Sequence, residues 1–594
     1  MFASKTSRYI APIDGLRAIA VIAVLLYHAG IDWIPGGFLG VDLFFVISGY
    51  VITRLILDSI EESSALDLRK FYFARIRRLF PSLLLVIAST SVVVAVWAPD
   101  AAKRFFADIP FVLTGSNNWR LVAVHQDYFA AIGRPPLLQH TWSLAVEIQF
   151  YLVWPLILLA ILKYFGKANI ARGALSIATI SGLTLFLYSL NVDSASSSRI
   201  SHIYFGSDTH SLGLFLGSAL AVSWVPQNLS RTISQRAQDF VDFIGVFGFL
   251  GLLSTFFFID ETNATLYRVA FPLAAIFGCF TLISLVHPAS RFAPLITTKP
   301  LLWLGKRSYG IYLWHWVIFQ VMRPGIDLAG EVWAVNSARI LIVIGLADIS
   351  LRYVEIPIRR GELSIWWRGL KYRTPSVRKR GRTLVAATIV LSCSIIAASS
   401  FIAIYRHNHV QNQHIPENVN SGIVNPIMTV AKDGLWVTGD SVILGIRSKL
   451  ASRFPIALVN ARVGRQIQEL TDAVAADRSH VMNDTVILDL GNNNRLTRES
   501  VVTLFDLLKN QPHIILINTA VPRGWRDENN QIIRSAASNY PQIRLVDWAS
   551  ISAGHPEFFA PDGVHLNDLG SDVYVAAIID ELKAIGTQEL LQSA

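Results

Sequence analysis

A succession of long apolar runs constrains this sequence more than any other feature. A helix needs about 20 mostly apolar residues to cross a bilayer. Ten such runs lie near residues 9–29, 36–57, 79–97, 142–163, 173–190, 207–225, 240–259, 267–286, 301–322 and 334–353, and an eleventh, without a charged residue, spans 383–405. Because 52% of the residues are hydrophobic and 16% are charged, the composition excludes an ordinary soluble fold. The pattern predicts a multi-span α-helical membrane domain.

Basic residues cluster just before the last apolar run. The stretch from Arg359 to Arg382 holds nine Lys or Arg residues against one Glu, in a chain of net charge +10. A positive balance can indicate nucleic acid, but basic loops beside apolar runs are typical of the cytoplasmic side of membrane proteins. We therefore expect membrane lipid and no nucleic acid as a partner. If the N-terminus is also inside, eleven spans leave every residue after Tyr405 outside the cytoplasm.

The sequence pattern changes after a polar stretch at about residues 406–430. Short runs rich in β-branched residues then alternate with helical segments, which is typical of a parallel sheet flanked by helices. The predicted strands are Leu435–Thr438, Ile456–Asn460, Thr485–Leu490, His513–Asn518 and Ile543–Val546. We predict three regions: a membrane domain over 1–360, a basic loop with the eleventh span and a linker over 361–430, and an α/β three-layer domain over 431–594.

Small-residue turns follow the strand ends of the C-terminal domain. The run Gly439 to Ser441 comes directly after the first predicted strand, where it can expose a serine hydroxyl at the start of a helix. Gly464 follows the second strand, the run Gly491 to Asn494 follows the third, and the run Asp562 to His565 lies near the end. Each piece alone is most often only a turn. Together and in this order they indicate an active site at the carboxyl edge of the sheet.

This order of motifs resembles the SGNH hydrolase superfamily over about 160 residues. A serine is a weak nucleophile until a base takes its proton, and the resulting oxyanion needs preorganised donors. The resemblance implies the roles of such a centre: nucleophile Ser441, general base His565, orienting carboxylate Asp562, and oxyanion-hole donors Ser441, Gly464 and Asn493. One position departs from the family, because Asn494 stands where an aspartate is usual.

Ionisable residues lie within several apolar runs, where charge is costly and usually functional. Arg17 and His28 are about three helical turns apart, so they share a helix face at a separation of about 16 Å. That face is predicted to line one cavity. Arg75 and Arg78 share a face where the third run begins, and Glu147 lies one turn into the fourth run.

The same residues have simpler explanations, which the sequence leaves open. Arg75 and Arg78 could be positive-inside anchors at the membrane surface. His28 could be a packing residue, and Glu147 could be solvated near the outer boundary. Hydrogen bonds between helices would explain Ser143 equally well.

The helical segments that carry these residues resemble the acyltransferase 3 family. The resemblance covers about residues 8–360 and rests on Asp14–Arg17 with His28, Gly40–Tyr50, Phe71–Pro81, His140–Tyr151, Tyr204–Ala221 and Ser308–His315. It implies a cytoplasmic acyl-coenzyme A donor, most commonly with an acetyl group, and an essential His28. With an SGNH domain outside, the chain resembles bacterial proteins that modify lipopolysaccharide O-antigen, other exported polysaccharides or peptidoglycan. That subgroup implies the bacterial inner membrane and a periplasmic C-terminal domain.

Taken together, these features predict an O-acyltransferase that moves an acyl group from cytoplasmic acyl-coenzyme A to an extracytoplasmic glycan, first of all O-antigen or another surface polysaccharide. Arg17, Arg75 and Arg78 would hold the donor, and His28 and Glu147 would be catalytic beside the serine centre. We expect no metal and no permanently bound cofactor. The alternatives are a peptidoglycan O-acetyltransferase, a membrane-anchored esterase, and a transporter or receptor with a degenerate hydrolase-like domain. The sequence does not indicate the oligomeric state.

Overall fold

The computed structural model contains two compact units. It describes residues 9–31, 33–124, 134–190, 197–259, 266–324, 327–328, 331–380, 382–383, 394, 398–402, 405, 434–454, 456–461, 465–478, 485–522, 525–559 and 563–585. We call the first unit, whose described residues lie within 9–124 and 136–405, the helical unit, and the second, whose described residues are 134–135 and those from 434 onward, the α/β unit. The predicted eleventh span, 383–405, falls for the most part outside the described residues.

The helical unit is built from α-helices. They are α1 (Ala11–His28), α2 (Gly40–Ser63), α3 (Leu68–Val96), α4 (Ala102–Thr114), α5 (Asn117–Ala123), α6 (Thr141–Phe165), α7 (Ile170–Ser189), α8 (Ser197–Phe205), α9 (Leu212–Ser223), α10 (Gln235–Phe258), α11 (Phe271–Val286), α12 (Lys299–Val321), α13 (Val332–Ser350), α14 (Ile356–Arg359) and α15 (Glu362–Gly369). Eight segments of the described part are long and apolar enough to cross a membrane: Ala11–His28, Gly37–Ser63, Leu68–Val96, Thr141–Phe165, Lys167–Ser189, Gln235–Phe258, Arg268–Val286 and Val332–Arg359. The chain is a multi-pass membrane protein.

Two of the predicted spans are not among these eight segments. The run 207–225 contains α9, a helix of 12 residues, because the residues before it form a turn instead of a continuous helix. The run 301–322 corresponds to α12, which has 23 residues and carries Lys306 and Arg307 in its first half. The number of spans therefore stays a prediction, whereas the multi-span helical fold is confirmed.

Glycines allow two pairs of helices in the helical unit to cross closely. Where α12 packs on α1, a Cβ at Gly305 would lie 1.8 Å from the carbonyl oxygen of Asp14. Where α2 packs on α9, a Cβ at Gly49 would lie 1.9 Å from the carbonyl oxygen of Leu214. Small residues at crossings are typical of helix packing in membranes, because they let backbones approach.

The centre of the α/β unit is a five-stranded parallel sheet. Its strands β1 (Leu435–Gly439), β2 (Ile456–Ala461), β3 (Thr485–Asp489), β4 (Ile514–Ile517) and β5 (Ile543–Val546) are ordered β2-β1-β3-β4-β5. All five lie within two residues of their predicted limits. Helices flank the sheet: α16 (Ser441–Ala451), α17 (Ile467–Asp477), α18 (Arg498–Leu507), α19 (Arg526–Ala537), α20 (Trp548–Ile551) and α21 (Asp568–Ala584).

The sheet separates two apolar cores, which confirms the predicted three-layer α/β fold. Successive residues of a strand point to opposite faces, so Leu435 and Val437 of β1 pack with α16 and α21, whereas Trp436 packs with α17 and α18. The parallel register pairs Thr438 of β1 with Leu488 of β3. The loops that follow these two strands therefore begin side by side at the carboxyl edge of the sheet.

Candidate active sites in the two units

A cavity of about 250 Å³ lies within the helical unit. We call it the membrane cavity. Five helices, α1, α2, α3, α6 and α12, supply most of its wall. Its polar lining residues are Tyr9, Asp14, Arg17, Ser48, Tyr50, Arg54, Arg78, Ser143, Glu147, Tyr151, Ser308, Tyr309 and Tyr312. The fold thus brings Arg17, Arg78 and Glu147, which the sequence singled out in three separate segments, to one cavity.

Glu147 faces the arginines of the membrane cavity. It accepts a hydrogen bond from the hydroxyl of Ser48 on α2, and its carboxylate lies within electrostatic range of Arg17 and Arg78. One turn further along α6, Tyr151 lines the same wall and is buried. The cavity therefore combines cations that can bind an anionic ligand with a carboxylate that can accept a proton.

Arg78 lies well inside its helix. The apolar run of the third predicted span begins near residue 79, whereas α3 begins at Leu68, so Arg78 lies about 15 Å along the helix axis. The helix begins before the apolar run because hydropathy rises only after the basic residues, whereas helical hydrogen bonding starts at the capping residue Asp67. The partner residue Arg75 does not line the cavity: its guanidinium carbon lies 5.6 Å from the ring centre of Phe71.

Two further charged residues belong to this network and were not predicted. Glu355 ends a π-helical turn, Leu351–Glu355, and is 4% exposed. It interacts with the arginines of the cavity, Arg17 and Arg78, while Arg359 lies one turn beyond it, within electrostatic range of Arg78. The sequence analysis assigned Arg359 to the basic loop. The spacing of four residues between Glu355 and Arg359, typical of a helical ion pair, is the signal that could have found them.

His28 lies at the end of α1 in a cluster of rings. Its ring centre is 5.1 Å from that of His315 and 5.0 Å from that of Trp316. Its Nδ1–H donates to the carbonyl oxygen of Val24 at 2.9 Å, which fixes the ring against α1. His140 joins the cluster at 5.9 Å from His315. We call His28, His140 and His315 the histidine cluster.

Tyr312 connects the histidine cluster to the membrane cavity, whose wall it lines. Its ring centre is 5.3 Å from that of His315, and its hydroxyl lies 2.7 Å both from the carbonyl oxygen of His140 and from the hydroxyl of Ser143. The expectation that Arg17 and His28 line one cavity differs from this arrangement: Arg17 lines the cavity, whereas His28 lies beyond Tyr312. A shared helix face does not ensure a shared cavity, because the rings of α12 fill the space alongside the end of α1.

Ser441 begins α16 directly after β1. Asp440 caps this helix, since its Oδ1 accepts a hydrogen bond from the backbone N–H of Val442 at 2.9 Å. The first backbone N–H groups of a helix have no partner within the helix, and they favour negative charge. A tetrahedral oxyanion formed at Ser441 would therefore meet donors that are already in place.

Asn493 lies in the loop after β3, beside the predicted nucleophile. Its Nδ2 donates to Oδ2 of Asp440 at 2.5 Å, and Asp440 immediately precedes Ser441. Asn493 therefore lies close to the start of α16, and its role as an oxyanion donor stays a prediction. Asn494, the departure from the family pattern, has another contact: its Oδ1 accepts from the backbone N–H of Ile467 at 3.3 Å. The side chain at this position thus anchors the start of α17.

His565 lies in the loop before α21. The loop is closed by an antiparallel bridge between Phe559 and Leu566, and Asn567 caps the following helix. His565 lies within electrostatic range of Asp440, which places it on the same side of the α/β unit as the start of α16. Two other predicted site residues, Gly464 and Asp562, lie outside the described residues, and their roles stay predictions.

Several side chains of the two sites were not singled out from the sequence. They are Ser48, Tyr151, His140 and Tyr312 in the helical unit and Asp440, Asp489 and Asn492 in the α/β unit. Most of them lie within the segments that carried the two resemblances. The exception is Asp489, whose signal is an aspartate at the end of an otherwise apolar strand, where a buried carboxylate needs partners.

Comparison with known proteins decides the family. The family model described as an acyltransferase domain matches residues 10–349, more than half of the chain and every lining residue of the membrane cavity except Tyr9. The chain belongs to this family of acyltransferases. The acyltransferase is 31% identical to peptidoglycan O-acetyltransferase OatA of Listeria monocytogenes, over 96% of this chain and 98% of that protein. It is also 31% identical to O-acetyltransferase OatA of Staphylococcus aureus, over 98% and 97%. The enzyme is thus an O-acyltransferase.

Two solved structures match about a quarter of the acyltransferase chain. One is the C-terminal catalytic domain of peptidoglycan O-acetyltransferase A from Streptococcus pneumoniae with a methylsulfonyl adduct, at 24% identity and a TM-score of 0.23, covering 26% of this chain and 93% of that one. The other is a lipase/acylhydrolase from Enterococcus faecalis, at 18% identity and a TM-score of 0.22, covering 25% and 96%.

Proposed function

We propose that this acyltransferase transfers an acetyl group from cytoplasmic acyl-coenzyme A to a hydroxyl group of peptidoglycan outside the membrane. The similarity to a protein named peptidoglycan O-acetyltransferase, at 31% identity over 96% of this chain, carries the proposal because it includes both units. Peptidoglycan was an alternative acceptor in the sequence analysis. The relatives favour it over lipopolysaccharide O-antigen, the acceptor expected first.

The membrane cavity supports the donor half of the proposal. Coenzyme A carries phosphate groups, and guanidinium groups bind phosphate through charge-assisted hydrogen bonds. Arg17 and Arg78 would hold these phosphates, with Arg75 and Arg359 adding positive charge nearby. A cavity of about 250 Å³ is smaller than the pockets that hold whole drug-sized ligands, so it would admit the acetyl thioester end. Acyl-coenzyme A is then a substrate that binds and leaves.

Glu147 and the histidine cluster would act on the acyl group within the helical unit. Coenzyme A is a polyanion and stays on the cytoplasmic side, whereas an acetyl group carried as an uncharged thioester or ester can enter the apolar interior. Glu147 is available as a proton acceptor in the cavity. His28 would act further along, next to the rings that connect it to Tyr312. Because His28 belongs to the helical unit, its loss is expected to stop transfer and to leave the α/β unit unchanged.

The α/β unit supports the acceptor half. Oγ of Ser441 would attack the carbonyl carbon of the thioester or ester that delivers the acyl group, the bond from that carbon to the thiol sulfur or hydroxyl oxygen would break, and His565 would pass the serine proton to that sulfur or oxygen. A glycan hydroxyl would then attack the acyl-serine, its proton going to His565 and on to Oγ of Ser441. The Asn493 amide and the N–H of Ser441 would stabilise both oxyanions, together with Gly464, and Asp562 would orient the imidazole.

This mechanism needs the α/β unit on the periplasmic side of the bacterial cell membrane, because peptidoglycan lies there. The basic run before the predicted eleventh span supports that side. Transfer across the membrane would also explain why a chain with a predicted hydrolase-like centre carries a charged membrane cavity, which an anchored esterase would not require.

The test is the ester-linked acetate content of purified peptidoglycan from cells that have no O-acetylation of their own. Expression of the enzyme should produce acetate that mild alkali releases, and Ser441→Ala should abolish it. The matched control is Ser448→Ala, an exposed serine on the same helix, which should leave the acetate unchanged. His28→Ala should also abolish the acetate while the chain still hydrolyses an activated acetyl ester.

Three results would contradict the proposal. Acetate on another surface polysaccharide and none on peptidoglycan would assign a different acceptor. Loss of acetate from peptidoglycan that was acetylated beforehand would make the enzyme an esterase. Full acetylation by the Ser441→Ala chain would make the helical unit the complete transferase and leave the α/β unit without a covalent step.

A further inference from the structure

Asp489 is a buried acidic residue that the mechanism above does not use. It ends the central strand β3 and is 2% exposed. The register that pairs Thr438 with Leu488 brings the next residue of β1, Gly439, beside Asp489. Gly439 leaves the necessary space, since a Cβ there would lie 3.0 Å from the Cβ of Asp489. Asp489 therefore lies directly beside the turn that carries Ser441.

One asparagine joins Asp489 to Asp440, the residue before the nucleophile. Nδ2 of Asn492 lies 3.1 and 3.0 Å from the two carboxylate oxygens of Asp489 and 3.0 Å from Oδ2 of Asp440. Asp440 is itself 4% exposed, so one Nδ2 atom holds two buried carboxyl groups close together. Two buried carboxyl groups this close favour a shared proton, with one of them as the hydrogen-bond donor.

The electrostatic surroundings favour a single negative charge on this pair. Two buried carboxylates side by side repel each other and lose their hydration. The titratable groups that face the pair within the described residues are His565, near Asp440, and Tyr574 of α21, and neither is a permanent cation. Burial and the charge of Asp440 raise the pKa of Asp489 well above its usual range.

The hydrogen bonds indicate which carboxyl group keeps the proton. Asp440 accepts from the backbone N–H of Val442, from Asn492 and from Asn493, at 2.9, 3.0 and 2.5 Å. Several N–H donors stabilise an ionised carboxylate. Asp489 shares the Asn492 donor with Asp440 and accepts hydrogen bonds from fewer donors, so the negative charge lies on Asp440.

We propose that Asp489 is a positioning residue that keeps its proton through the catalytic cycle and donates it to Asp440, which in turn holds the Asn493 amide toward the oxyanion. The inference rests on the proposed role of the α/β unit in acyl transfer. Asp489 does not touch the acyl group. An amide nitrogen has two hydrogens; one from Asn493 bonds to Asp440, and the other stays available for the acyl oxygen. Asp440 also keeps one charge facing His565.

The experiment uses the full-length enzyme in detergent and follows hydrolysis of p-nitrophenyl acetate between pH 5 and pH 8.5, with the Ser441→Ala enzyme as blank. Asp489→Leu removes the donor and should lower kcat about 10²-fold with little change in KM, because a misplaced oxyanion donor affects the transition state. Asp489→Asn keeps a neutral donor and should recover most of that loss. Asp472→Asn, an exposed aspartate on α17, is the matched control and should behave as the wild type.

The pH profile separates positioning from a merely structural role. Asp489→Asn cannot lose a proton, so the ratio of its kcat to that of the wild type should stay level while the wild-type Asp489 keeps its proton and should rise only above the pH at which it ionises. A ratio that falls as pH rises, or an Asn variant as impaired as the Leu variant, would overturn the inference. This measurement needs no peptidoglycan. The inference can therefore be overturned while the enzyme acetylates peptidoglycan normally, and it can be supported even if the acceptor proves to be another glycan.

Discussion

At the scale of single residues, the neighbours Arg77 and Arg78 have very different surroundings on α3. Arg78 lines the membrane cavity, whereas Arg77 is exposed. Arg78→Ala should raise the apparent KM for acetyl-coenzyme A about tenfold, since it removes a charge-assisted hydrogen bond to phosphate. Arg78→Lys should restore this only in part, because an ammonium group lacks the guanidinium fork. Initial rates of acetyl transfer in inverted membrane vesicles measure this effect.

Arg77→Ala is the matched control for that measurement and should change the KM by less than about twofold. An unchanged KM in a normally inserted Arg78→Ala enzyme would mean that Arg78 only helps to orient the chain in the membrane. Equal effects of the two substitutions would mean that overall surface charge, and not the cavity, attracts the donor.

The buried proton of Asp489 also predicts how the stability of the α/β unit depends on pH. The pKa of Asp489 is raised in the folded state, so the stabilisation is complete below the usual aspartate pKa of about 3.9 and is lost as pH rises through the folded pKa. Asp489→Asn removes this dependence. Its melting temperature relative to the wild type should therefore increase with pH, measured by thermal unfolding between pH 5 and pH 9. A difference that stays constant with pH would mean that Asp489 is already ionised in the folded state, which would place the charge on Asp489.

At the scale of elements, the crossing of α1 and α12 determines the shape of the membrane cavity. Gly305→Ala would put a Cβ 1.8 Å from the carbonyl oxygen of Asp14 and push α12 away, at a cost of about 1–3 kcal/mol. We expect a lower melting temperature in detergent and reduced acetyl transfer. Gly345→Ala on α13 is the matched control, because nothing lies within 4 Å of a Cβ there. Equal melting temperatures for the two variants would contradict close packing at Gly305.

Element boundaries explain the main differences between the sequence analysis and the fold of the helical unit. Hydropathy follows side chains, whereas a helix begins where backbone hydrogen bonds begin. That is why α3 starts at Leu68 while its apolar run starts near residue 79. For the same reason, the apolar run 207–225 is longer than the helix α9 that it contains, Leu212–Ser223. The strands of the α/β unit were predicted closely because β-branched runs bounded by small residues mark both ends.

At the scale of the whole molecule, the proposed transfer requires the two ends of the chain segment 376–594 to lie on opposite sides of the membrane. A phosphatase reporter fused after Ala594 should be active, because that enzyme folds outside the cytoplasm, and a fluorescent protein inserted near Ser376 should be bright, because it folds inside. The basic run before an uncharged apolar run is the physical reason. Finding both sites on the same side would remove the eleventh span and separate Ser441 from peptidoglycan.

The amino-acid sequence by itself determined the architecture of both units. Long apolar runs dictated a multi-span helical unit because an unpaired backbone cannot lie in lipid, and short β-branched runs alternating with helical segments dictated the parallel sheet. The sequence also indicated Arg17, Arg78 and Glu147, because charge in or beside an apolar run is energetically costly and is usually functional. Small-residue turns at neighbouring strand ends indicated a site in the α/β unit, and the resemblance of their order to the SGNH hydrolases implied Ser441 and Asn493.

The tertiary structure alone decided which of these side chains meet. Helical periodicity relates residues within one helix, so it aligned Arg17 with His28 but could not show that Tyr312 of a distant helix lies between His28 and the cavity. It likewise could not place Glu355 beside Arg78. The pairing of Asp440 with Asp489 depends on the register between β1 and β3, a contact between segments about 50 residues apart. Such contacts arise from packing and burial, which a single sequence does not record.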